Sequence, residues 1–64
     1  MKRGVFVGTF TEEDIANNID RERLFAVQKE TGLNYCNEEF VYKGGKIVGL
    51  KLWACSFEDC DEFM

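Results

Sequence analysis

The chain has 64 residues, a formal net charge of −4, and 45% hydrophobic and 31% charged side chains. That describes one small globular domain, too short for two cores or a deep enclosed cleft and too apolar for a disordered chain. It contains no histidine, which removes the commonest general base, the usual catalytic triads and most zinc sites.

Residues 1–57 carry as many acidic as basic side chains, and the negative excess sits in Glu58, Asp59, Asp61 and Glu62. The sequence therefore divides into a single α+β body over 1–57 and an acidic C-terminal tail over 58–64. A neutral body with an acidic end lacks the basic stripe that phosphate backbones require, so nucleic acid is an unfavoured partner. There is no run of 18 apolar residues, no basic amphipathic helix and no lipidation signal, which argues against a membrane. Met1-Lys2-Arg3 begins like a signal peptide, but the apolar stretch after it is broken by Gly4 and Gly8 and stops at Glu12. A cytoplasmic protein is the expectation.

The first element is a strand over 3–10 (RGVFVGTF), with Val5 and Val7 on one face and Phe6 on the other. Thr11 follows as a helix N-cap, and Asp14 three residues on completes a capping box. Phe10 and Ile15 have the spacing of a hydrophobic staple, and Glu12, Glu13 and Asp14 suit the positive end of the helix dipole. The apolar stripe changes phase near Asp20, and Asn17-Asn18 are weak helix formers. The pattern predicts a short helix over 12–18 and a second over 21–31, with Asp20 as its N-cap and Gly32 as its left-handed terminus.

The strongest local signal is EEFVYKGGKIVGLKLWACSF. Gly44-Gly45 between two β-rich runs predicts a type I′ hairpin. Regular pairing from that turn sets Tyr42 opposite Ile47, Val41 opposite Val48, Phe40 opposite Gly49 and Glu38 opposite Lys51, the last two as an ion pair. One face is then aliphatic (Val41, Val48, Leu50, Leu52, Ala54) and takes the helices. The other carries Phe40, Tyr42, Ile47 and Trp53, with Phe6 beside them. The expected fold is β-α-α-β-β, a three-stranded sheet with two short helices on one face.

Cys36, Cys55 and Cys60 are odd in number, which does not suit a disulfide framework. Cys55 and Cys60 are five apart, not the spacing of a zinc knuckle, and any fourth ligand would have to be a carboxylate. Free thiols and no bound metal are expected. No cofactor motif and no catalytic residue is recognisable: Gly44-Gly45 is explained by its turn, and no cysteine has a histidine to activate it.

Residues 20–57 resemble the N-terminal capping segment of leucine-rich-repeat proteins. The helix of that cap is matched by Asp20, Arg21, Leu24, Ala26, Thr31 and Gly32. Its hairpin strand is matched by Gly45, Lys46, Ile47, Val48, Gly49, Leu50, Lys51 and Leu52, and 53–57 take the place of the turn after the first repeat strand. The resemblance implies a protein-interaction module without catalysis.

The residues themselves lead to the same class. Two short helices cover one face of the sheet, which leaves the aromatic set Phe40, Tyr42, Ile47, Trp53 and Phe6 as a surface for another protein or a second copy. A three-stranded sheet also keeps bare edges. The alternatives are a phage- or plasmid-type inhibitor of a host enzyme, by size and charge, or a single-stranded nucleic-acid binder stacking bases on the aromatic face. A further alternative makes those rings a second small core under the chain ends, helped by Phe57 and Phe63.

Overall fold

The computed structural model describes residues 3–60. Strand β1 (Val5–Thr11) leads into helices α1 (Glu12–Ala16) and α2 (Ile19–Thr31); strands β2 (Tyr35–Lys43) and β3 (Lys46–Cys55) follow, then a 3-10 turn at Phe57–Asp59. The strands form one antiparallel sheet in the order β1-β3-β2. The β-α-α-β-β domain read from the sequence is the fold observed, with the last strand at the centre.

The capping box at α1 is complete. Thr11 Oγ1 accepts from the Asp14 N–H at 3.2 Å, and Asp14 Oδ2 accepts from the Thr11 N–H at 3.1 Å. The helix then stops at Ala16, two residues earlier than expected. Asn18 adopts φ 60, a left-handed conformation that asparagine tolerates better than most residues. That turn starts α2 early and corrects the reading of Asp20 as N-cap: Asn18 holds the cap position, and Asp20 is buried within the first turn. Gly32, at φ 76, ends α2 and donates its N–H to the Gln28 carbonyl.

The hairpin turn sits at Gly44-Gly45, both at positive φ, as a type I′ turn requires. Beyond Tyr42 and Ile47 the expected register fails. Val48 is an extra residue in β3, so Val41 faces Gly49, Phe40 faces Leu50, Glu39 faces Lys51 and Glu38 faces Leu52. Because side chains alternate between faces, this one-residue shift exchanges the faces of β2 relative to the rest of β3. The pairing of Glu38 with Lys51 is corrected by the same shift.

The helices pack mainly over β1 and β3. Phe10, Leu24, Leu50, Leu52 and Ala54 form the buried cluster, with Ile15 and Val27 packed against it. Val48 is exposed and Val41 only half-buried, so neither joins that cluster as expected. A second bulge, at Val7 in β1, lies between the Phe6–Trp53 and Gly8–Leu52 pairs.

The body extends past residue 57. The Asp59 carbonyl accepts from Asn37 Nδ2 at 2.7 Å, and Cys60 is buried. Glu58, Asp59 and Cys60 thus belong to the folded body rather than to a tail. Asp61, Glu62 and Phe63 lie outside the described residues.

Candidate interaction surface

Residues opposite one another in a sheet share a face. Phe40 therefore lies on the face of Leu50, the helix-bearing one, and Tyr42 and Ile47 fall on it by alternation. They extend past the part of the sheet that the helices cover. Phe40 is 44% exposed, Tyr42 62% and Ile47 42%. Lys43 and Lys46, opposite each other at the turn, add two exposed cationic groups at the same end.

Trp53 and Phe6 lie on the opposite face. The single aromatic face expected from the sequence is thus two separate groups, and the extra residue at Val48 is the physical reason. Phe6 and Trp53 are cross-strand partners with ring centroids 5.4 Å apart. The Arg3 guanidinium lies 5.0 Å from the Trp53 ring centroid, within cation–π range. Arg3 Nη1 also donates to Glu39 Oε2 at 2.8 Å. Trp53 is half-buried beneath this cover, whereas Phe6 remains exposed.

Farther along that face the segments at Arg3 and Asp59 come together. Asn37 Nδ2 donates to the Arg3 carbonyl at 2.9 Å as well as to Asp59. Tyr35 and Phe57 meet edge-on at 5.5 Å. Gly4, at φ 109, runs so close to β3 that a Cβ there would overlap the Ala54 carbonyl oxygen and come within 2.8 Å of Cys55 Cβ. Sequence reasoning missed Arg3 and Asn37. Only their partners, 34 and 36 residues away in the chain, give them these roles. It also left Phe25 unplaced; the ring is exposed on α2 beside the inward-facing Leu24.

The three cysteines gather at this end without a disulfide. Cys55 and Cys60 are buried, and Cys60 Sγ donates to the Cys36 carbonyl at 4.0 Å. Burial pushes the Cys55 thiol from 9.0 up to about 11, reinforced by the neighbouring Cys60, Cys36 and Asp59 and by a hydrogen bond with Cys60. A thiol held protonated in this way is a poor nucleophile. Among the described residues, no three His, Cys, Asp or Glu side chains are grouped to hold a metal ion, and no helix is long and apolar enough to cross a membrane.

Comparison with protein-family models, with curated proteins and with solved structures gave no match to this chain.

Proposed function

We propose that this domain is a protein-interaction module that binds its partner through the hairpin end of the sheet. The observation that carries this reading is the exposure of Phe40, Tyr42 and Ile47 side by side on two paired strands. A cluster of large apolar side chains at the surface of a small domain usually marks a contact with another protein. Aromatic residues contribute most of the energy at such contacts. Lys43 and Lys46 add positive charge at the same end of the hairpin and favour a partner with acidic groups. The resemblance of residues 20–57 to a leucine-rich-repeat cap supports the same class of function.

Trp53 is not part of this surface, because it lies on the opposite face of the sheet, where Arg3 and Phe6 cover it. Phe6 serves that cover. The separation also removes the continuous aromatic platform on which a single-stranded nucleic acid would stack.

Tyr42→Ala tests the proposal. The ring is mostly exposed, so the melting temperature should stay nearly unchanged while protein captured from a host lysate falls sharply. An unchanged capture profile, or a large loss of stability, would overturn the reading.

A further inference from the structure

Glu39, Val41 and Lys43 alternate onto one face of β2, the face without helices. Lys51 stands opposite Glu39, and Lys46 stands opposite Lys43. Lys43, Lys46 and Lys51 therefore share the side of the sheet that bears Trp53 and Phe6. None of the three lysines forms an ion pair among the described residues, and Glu39 is taken by Arg3 at 2.8 Å. Helices α1 and α2, on the other side, carry Glu12, Glu13, Asp14, Glu22 and Glu30 against Arg21, Arg23 and Lys29. Charges that balance along the chain are thus separated in space, and the helix-free face is cationic.

The cations are also spaced. At about 3.3 Å per residue, the Lys51 position and the Lys43–Lys46 pair lie about 13 Å apart along the strands. Val41 is half-buried midway between them. An extended polypeptide has the same rise and turns alternate side chains to one side. A segment of the pattern acid-x-apolar-x-acid sets one carboxylate at Lys51, its apolar side chain on Val41, and the second carboxylate between Lys43 and Lys46. A nucleic acid fits less well. A single strand needs open rings for its bases, and Trp53 already carries Arg3. The cationic stretch is short, and the turn bearing Glu58 and Asp59 is tied to Asn37 beyond it.

We infer that this face is a docking site for an acidic, extended segment of another protein, held by Lys51 at one end and by Lys43 and Lys46 at the other. It lies across the sheet from Phe40, Tyr42 and Ile47 and does not depend on them.

Titration of the full chain with a blocked Gly-Glu-Ala-Leu-Ala-Glu-Gly peptide tests this. Trp53 is the chain's one tryptophan and shares the face, so its emission reports occupation. The expected result is a saturable change that weakens as salt rises. The peptide with Gln in place of Glu should bind about tenfold more weakly or worse. Lys43→Glu combined with Lys46→Glu, both exposed at the turn, should have an effect of the same size, and Lys51→Gln a loss of about threefold. Tyr42→Ala should leave peptide binding unchanged, so this site and the hairpin patch can fail separately. Absence of saturable binding, equal binding of the Gln peptide, or indifference to the lysine substitutions would overturn the inference. So would tighter binding of oligothymidylate or of phosphatidylserine vesicles, or loss of peptide binding in Tyr42→Ala.

Discussion

Asn37 Nδ2 reaches from β2 to the carbonyls of Arg3 and Asp59, so one buried amide holds down both flanks of the sheet. Asn37→Leu keeps similar bulk but strips both carbonyls of their donor, and each must then stay buried unpaired or move to water. Urea unfolding should show a loss of about 1–3 kcal/mol for each group left unsatisfied. The Cys55 thiol gives a prediction in pH. Its pKa is about 11 in the folded protein against 9.0 for the ordinary group, so between those values the unfolded chain loses a proton that the folded chain keeps. Stability should therefore be unaffected by this group below about pH 9 and fall from there towards pH 11. Cys55→Ala should remove that part of the alkaline loss when melting is followed against pH. An unchanged alkaline slope would show that the group does not titrate in this way.

At the scale of elements, Gly49 marks the close approach of β1 and β3. A Cβ there would sit 2.7 Å from the Phe10 carbonyl oxygen. Gly49→Ala must push the two strands apart, and a loss of about 1–3 kcal/mol is expected for overpacking of this kind. Faster exchange of β1 amides would locate the damage; an unperturbed melt would refute the close approach. This glycine also shows where the sequence stopped being legible. The capping box at Thr11 and the turn at Gly44-Gly45 were readable because every residue they need lies within a few positions. Regular pairing from the turn puts Gly49 opposite Phe40. Its actual neighbours are Val41 and Thr11, and the need for glycine comes from β1, which no local pattern reveals. The Val48 bulge is equally silent, since its residue type suits any strand. One unmarked insertion was enough to divide the expected interaction face, leaving Phe40, Tyr42 and Ile47 on one side and Trp53 and Phe6 on the other. At Asp20 the local signal misled: a good capping residue was present, but the left-handed turn at Asn18 started the helix first.

At the scale of the molecule, one core cluster joins β1, β3 and α2. Leu50 and Leu52 on the central strand meet Phe10 from β1 and Leu24 from α2. Leu50→Ala should cost about 2–5 kcal/mol, a large share of what a domain of this size holds. Loss of cooperative unfolding would be the visible result, whereas a mild shift in midpoint would mean that the cluster can collapse around the gap.

The central position of β3 also sets how the domain bears tension. Val5 lies opposite Ala54, and Asn37 ties the Arg3 carbonyl to that of Asp59. Residues 3 and 60 therefore leave from the same end of the sheet. A pull applied between them loads the β1–β3 pairs one after another, like a zipper, instead of shearing the whole row at once. The Asn37 clasp takes the first load, β1 peels away next, and the β2–β3 hairpin, closed by its own short turn, is the last part of the sheet to carry force. The domain is built to yield at low force along this axis, and to do so from its N-terminal strand.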